Sequence, residues 1–113
     1  MAEERRQEKI NFLVRDELAA ILNREVVFPH GVMVTITRVV SSPDIYYADV
    51  FISVFPKKEN DVMIILEKGT PHIQSLLNKE LNMRPVPRIY FKIDEEEKAR
   101  ERMEKLLKST EDK

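Results

Sequence analysis

The chain has no cysteine and no tryptophan, and only two of its 113 residues are glycine. Without cysteine, neither a disulfide framework nor thiolate chemistry is possible. With Gly31 and Gly69 alone, no glycine-rich loop that cradles phosphate groups can form. No apolar run approaches the ~18 residues of a membrane span, and the N-terminus lacks the apolar segment of a secretory signal. We therefore expect a cytoplasmic protein with no membrane partner.

Residue patterns that support catalysis are equally scarce. The two histidines, His30 and His72, lie far apart in the sequence and close to turn residues. No HExxH, Walker-type or GxGxxG pattern occurs. The acidic run at residues 94–97 is explained as a solvated helix start, because carboxylates favour the positive end of the helix dipole. The sequence therefore predicts a protein that is not an enzyme and holds no metal or cofactor.

Length and charge set the scale of the fold but not its partner. A chain of 113 residues forms one domain. Charged residues make up 35% of the composition, yet the formal net charge is only -1, so the position of the basic residues matters more than their number. We predict a single domain over residues 1–113, with a core over about 6–94 and a final helix over about 95–108.

Residues 32–54 are the segment around which the fold is predicted to form. Apolar and polar residues alternate on both sides of a Ser-Ser-Pro-Asp turn at 41–44, which is typical of two half-buried strands. Pro43 fixes its own φ angle, and Asp44 is interpreted as a turn residue, not a general base. Because a lone hairpin is marginal in water, the other segments must cover its apolar face.

The remaining segments supply those elements. Apolar steps of three and four residues predict a first helix over about 6–23, and similar spacing recurs over 59–68 and 71–81. Strict alternation over 88–93 predicts a third strand. The order is therefore α-β-β-α-α-β-α, and three strands with helices on one face make a two-layer α+β sandwich.

The two middle helices are predicted to be separate because of Gly69, Thr70 and Pro71. Glycine suits the left-handed position after a helix end, threonine is a good N-cap, and proline fits the first position of the next helix. A proline inside a continuous helix costs ~3 kcal/mol or more. We therefore predict a structural kink at these three residues.

A basic segment follows this predicted kink. Residues 69–93 contain one acidic residue, Glu80, and four basic residues. Arg88 and Lys92 share a strand face with Tyr90 between them, a pattern that suits phosphate contacts and base stacking. An edge strand protected by charge explains the same pattern, and both readings stay open. The four basic residues are Lys79, Arg84, Arg88 and Lys92.

Two parts of the sequence resemble the ribosome-binding factor A family. The first is the hairpin, which reads Thr37-Arg38-Val39, Ser42-Pro43-Asp44 and then Ala48-x-Val50-x-Ile52-Ser53-Val54. The second runs from the middle helix into the third strand and reads Ile73-x-Ser75-x-Leu77-x-Lys79-x-Leu81-x-Met83-Arg84-x-x-Pro87-x-Ile89-x-Phe91. The resemblance extends over about residues 5–107, nearly the whole chain.

The resemblance implies a type II KH-like fold, in which the two central helices meet at an Ala-x-Gly kink where residues 69–71 here read Gly-Thr-Pro. It implies a ribosome assembly factor that binds 16S rRNA within the free small (30S) ribosomal subunit. Such a factor assists late subunit maturation and 16S rRNA 5′-end processing, is associated with growth in the cold, and is not a nuclease. We expect a monomer.

The resemblance also points to an RNA-binding set of basic residues. Four carry over by position, Lys92 joins them through its strand face, and three in the first helix match by charge only. The predicted mechanism is electrostatic docking on a folded rRNA site. The set comprises Arg38, Lys79, Arg84, Arg88, Lys92, Arg5, Arg6 and Lys9.

Two other functions compete with this interpretation. One is a generic single-stranded RNA-binding KH module, although the GxxG loop that clamps a single strand in KH domains is missing. The other is a protein-interaction α+β domain that uses Tyr47 and Phe51, provided that these side chains project from the outer face of the hairpin.

Overall fold

The computed structural model describes residues 2–111, with side chains described for residues 4–108. Within this range the chain forms three helices and three strands in the order α-β-β-α-β-α, which confirms the predicted α+β fold class. The sheet has the order β1-β2-β3, with β1 and β2 antiparallel and β2 and β3 parallel. The elements are α1 (Ala2–Glu25), β1 (Met33–Ser41), β2 (Tyr47–Phe55), α2 (Glu59–Glu80), β3 (Arg88–Ile93) and α3 (Glu95–Glu111).

Strands β2 and β3 follow the predicted alternation, and β3 has the predicted bounds. Ile89 and Phe91 are buried while their neighbours on β3 are exposed. In β1 the pairing register shifts between Ile36 and Arg38, so the alternation changes phase in mid-strand. Thr37 is the extra residue at this shift, and its hydroxyl oxygen lies 3.2 Å from the Phe51 carbonyl. A β-bulge changes the face to which the following side chains point, and here it places Arg38 on the sheet face that the helices do not cover.

The turn between β1 and β2 confirms Asp44 as a turn residue. Its Oδ1 accepts hydrogen bonds from the Ser42 hydroxyl at 2.6 Å and the Tyr46 amide at 3.1 Å. The Ser42 hydrogen bond, followed by that of Tyr46, lowers the pKa of the Asp44 carboxyl below its ordinary value. Ile45 adopts φ 65 and is buried, so its side chain anchors the turn to the core.

Helices α1 and α2 pack on one face of the sheet and close the core. The buried positions of α1 recur every three or four residues, as the predicted stripe requires. By contrast, Met103 and Leu107 of α3 are more than 60% exposed, so this helix adds little to the core. Nowhere in residues 2–111 does a helix combine the length and apolar character needed to cross a membrane. The buried residues of α1 are Ile10, Val14, Leu18, Ile21 and Leu22.

The predicted break between two middle helices is wrong, because α2 runs without interruption through Pro71. Val62 and Leu66 before the proline and Ile73 and Leu77 after it are all buried, and they form one stripe of continuous helical phase. Two separate helices would interrupt this stripe. The Pro71 ring is exposed, so the carbonyl that lacks its hydrogen bond lies on the side where water can reach it.

Neighbouring residues adapt to the same continuous helix. Thr70 does not act as an N-cap, since its hydroxyl donates back to the Leu66 carbonyl at 2.7 Å. Gly69 stays in the helix, and among the described glycines only Gly31 has a positive φ.

Replacing Pro71 by alanine is expected to stabilise the fold. The variant regains an amide that donates to the Glu67 carbonyl, and this gain exceeds the loss of rigidity in the unfolded chain. We expect the free energy of unfolding to rise by about 1–2 kcal/mol in urea titrations. Ser75→Ala, one turn later on the exposed side, is the control and should gain only about 0.5 kcal/mol or less. A Pro71→Ala variant no more stable than this control would contradict the continuous helix.

Candidate nucleic-acid interface

The sheet has one end at which the β1–β2 turn and the start of β3 lie side by side. The register places Ser41, Ala48 and Ile89 in one row across the three strands. Next to this row, the Arg88 amide donates to the Tyr46 carbonyl at 2.9 Å. We call this part of the sheet the turn end. Side-chain hydrogen bonds connect helices α1 and α2 to it.

Helix α1 is fastened to the turn end through its first half. The Gln7 side chain donates to the Ser41 carbonyl at 3.2 Å, and the Asn11 side chain accepts from the Ser41 amide at 2.9 Å. The basic residues of this half are exposed. They are Arg5, Arg6 and Lys9.

Helix α2 is fastened to the turn end through Gln74. Its side-chain amide donates to the Pro87 carbonyl at 3.1 Å and accepts from the Ile89 amide at 2.9 Å, so it bridges the start of β3. Lys79 lies five residues further along the helix, about 7.5 Å away along the axis. The Arg84 guanidinium donates to the Met83 carbonyl at 2.8 Å and reaches the Asn78 carbonyl at 3.5 Å, which holds it beside the last turn of α2.

Six exposed basic side chains lie on the elements that these contacts join, and we call this group the basic end. None of the six forms an ion pair with another side chain in residues 4–108. Glu80 is engaged by Arg24 at 3.8 Å, whereas Glu4 and Glu8 share the first turns of α1, so the positive excess is greatest on the α2–β3 side. The basic end comprises Arg5, Arg6, Lys9, Lys79, Arg84 and Arg88.

Lys92 and Arg38, the other two residues of the predicted set, already have carboxylate partners. Lys92 Nζ lies 3.0 Å from Asp49. Arg38 lies 3.5 Å from Asp94 and 3.8 Å from Glu96, and its guanidinium stacks on the Phe51 ring with 4.0 Å to the centroid. An RNA contact by either residue would require a phosphate to displace a carboxylate.

Asp94 differs from the expectation of a solvated helix start, because it is only 3% exposed. One carboxylate oxygen accepts from the Glu97 amide at 3.1 Å, which makes Asp94 the N-cap of α3, and the other accepts from the Thr37 hydroxyl. Burial alone would raise its pKa, but these hydrogen bonds and the charge of Arg38 outweigh burial, and the pKa lies below the ordinary value. The prediction is wrong for this one residue of the acidic run.

An aromatic pair lies beside Arg88 on the sheet face that the helices leave open. The rings of Tyr47 on β2 and Tyr90 on β3 have centroids 6.1 Å apart and are tilted by 36°. They are 51% and 45% exposed, and Tyr47 is paired with Arg88 in the strand register. The sequence pattern identified Tyr90 but not its relation to Tyr47, which depends on the parallel pairing of β2 and β3.

The predicted kink residues do not contribute a binding loop. Gly69, Thr70 and Pro71 lie inside α2, so no loop projects there to clamp a strand of RNA. The part of the chain that the structure describes also has no group of three or more His, Asp or Glu side chains placed to hold a metal ion.

Comparison with known proteins relates this chain to one family along most of its length. The sequence model described as Ribosome-binding factor A matches residues 6–107. The curated Ribosome-binding factor A of Natranaerobius thermophilus is 41% identical over 110 residues, which cover 96% of this chain and 81% of that protein.

Solved structures give the same relation at the level of the fold. The crystal structure of ribosome-binding factor A from Thermus thermophilus aligns with a TM-score of 0.56 at 18% identity, over 80% of this chain and 93% of that one. A homology model of the Thermus thermophilus factor, fitted into a cryo-EM map of its 30S complex, aligns with a TM-score of 0.57 at 18% identity, over 77% and 89% of the two chains. At this identity the likeness concerns the fold alone.

Proposed function

Because this chain belongs to the ribosome-binding factor A family, we propose that it is a ribosome assembly factor that binds 16S rRNA in the immature small (30S) subunit. The Thermus thermophilus factor with the same fold has been fitted into a map of its 30S complex, which supports this partner. We propose further that the chain assists late subunit maturation and processing of the 16S rRNA 5′ end as a cytoplasmic monomer, without catalysing a reaction.

The observation that carries the proposal is the basic end. Six exposed cations from α1, α2, the loop before β3 and β3 itself form no ion pair with another described side chain. Cations spread over rigid elements suit the phosphates of a folded RNA, because docking then needs little reorganisation of the protein. Binding through about 4–6 phosphates fits this number of side chains.

A generic single-stranded KH mode is less well supported. In KH domains a GxxG loop between two helices clamps the backbone of four nucleotides. Here the corresponding residues continue α2, so that the clamp has no counterpart. We therefore assign recognition to a folded rRNA site met by the basic end.

Fractionation of cell extract on a sucrose gradient tests the proposal. The protein should co-migrate with free small subunits and be absent from translating particles, and treatment of the extract with ribonuclease should release it. A protein that stays at the top of the gradient under low-salt conditions would contradict the proposal.

A further inference from the structure

We propose that the surface formed by Tyr47, Tyr90 and Arg88, which we call the tyrosine face, binds an unpaired segment of rRNA by base stacking on the two rings. Arg88 contacts the phosphate of the stacked nucleotide. This inference rests on the proposed function. It identifies unpaired nucleotides as the ligand class and adds a contact surface to the cations of α1 and α2.

The geometry of the tyrosine face suits nucleobases. Tyr47 and Tyr90 project from neighbouring strands of an open sheet, with ring centroids 6.1 Å apart, and about half of each side chain is exposed. Aromatic side chains on adjacent strands of an open sheet are the platform on which single-stranded RNA modules stack bases. Stacking tolerates any base, because every base has a π face.

The charges around the tyrosine face favour RNA over an acidic or neutral protein. Arg88 stands next to Tyr47 in the strand register and two residues from Tyr90, and it has no carboxylate partner among residues 4–108. Arg84 lies at most ~14 Å away along the chain. A base on the rings therefore places its backbone beside cations that are free to bind phosphate.

The nearest acids do not oppose a phosphate strongly. Asp49, which is paired with Tyr90 in the register, is held by Lys92 at 3.0 Å. Asp44 is turned into the hairpin turn, where it accepts two hydrogen bonds. The Lys92–Asp49 pair leaves the far side of the rings neutral, whereas Arg88 places a positive charge beside Tyr47.

Substitution of both rings tests the contribution of stacking. Tyr47→Leu/Tyr90→Leu keeps apolar side chains on exposed positions but removes the π faces, and we expect its affinity for purified small subunits to fall by about 10- to 100-fold. Tyr47→Phe/Tyr90→Phe keeps the rings and should bind within about twofold of the parent. Phe55→Leu, on the same strand about 26 Å away, is the matched control and should also bind as the parent does. Circular dichroism confirms that each variant is folded.

Intrinsic fluorescence identifies the ligand class. The chain has no tryptophan and three tyrosines, Tyr46, Tyr47 and Tyr90, all at the turn end. Stacked bases quench tyrosine emission, so naked 16S rRNA should quench the parent, and the quenched fraction should be much smaller for Tyr47→Leu/Tyr90→Leu, in which only Tyr46 emits.

Three results would overturn the inference. The first is a leucine variant that binds subunits within twofold of the parent, and the second is a phenylalanine variant that loses as much affinity as the leucine variant. Loss of subunit binding without quenching by naked 16S rRNA would show that a ribosomal protein occupies the tyrosine face. In each case the parent still binds small subunits, whereas failure of the proposed function appears as a parent that does not bind them.

Discussion

Reversal of two charges at the basic end should reduce the affinity for small subunits by at least about 100-fold. The variant is Arg84→Glu/Arg88→Glu, which replaces two exposed guanidinium groups that have no carboxylate partner in residues 4–108. Each charge-assisted phosphate contact contributes about 1.5–3 kcal/mol, and a glutamate at the same position repels the phosphate. Co-sedimentation with purified small subunits at a fixed salt concentration measures the change.

The matched control for this variant is Lys57→Glu/Lys58→Glu. It makes the same change in net charge on exposed residues between β2 and α2, outside the basic end. This control should bind subunits within a few-fold of the parent, because only long-range electrostatics changes. If the two double variants lose affinity equally, net charge decides binding and our assignment of the site is wrong.

The second large effect concerns stability. Asp94→Ala should lower the free energy of unfolding by about 2–4 kcal/mol. The substitution removes the N-cap of α3. It also removes the buried carboxylate that accepts a hydrogen bond from the Thr37 hydroxyl and pairs with the Arg38 guanidinium. Urea titrations followed by far-UV circular dichroism measure the loss. Glu96→Ala is the control, because this exposed carboxylate also faces Arg38 yet should change stability by less than about 0.5 kcal/mol.

The same carboxylate gives stability a defined pH dependence. Since the pKa of Asp94 in the folded protein lies below its ordinary value of 3.8, the charged form stabilises the fold above that value, and this contribution is lost as the pH falls through 3.8 towards the folded pKa. The parent should therefore lose more unfolding free energy than Asp94→Ala between pH 6 and pH 3. Parallel curves for the two proteins would contradict this role of Asp94.

Most of the fold follows from local sequence patterns. Strict alternation identified β3 with its bounds, and turn chemistry placed the hairpin around Asp44. These predictions hold because the alternation of a strand reflects one buried face, and the turn side chains satisfy backbone groups close to them in sequence. The family resemblance then fixed how the elements combine.

The remaining features depend on contacts between distant residues. The local signals at Gly69 and Pro71 favoured a break, but the burial of Leu66 and Ile73 in one continuous stripe favours a single helix and prevails. The sequence does contain a signal for the single helix, because Leu66 and Ile73 keep the same helical phase on the two sides of Pro71. For Arg38 the sequence gives no comparable signal, since its carboxylate partner Asp94 is 56 residues away and is brought close only by the sheet.

The central claim is that the cations of the basic end neutralise phosphates of rRNA, and the salt dependence of binding tests it most directly. Affinity for purified small subunits should be measured between about 50 and 300 mM salt. Neutralisation of about 4–6 phosphates predicts a log–log slope of roughly −3 to −5, and Arg84→Glu/Arg88→Glu should reduce this slope by about 2. A parent slope shallower than about −1, or a slope that the double variant leaves unchanged, would contradict the claim.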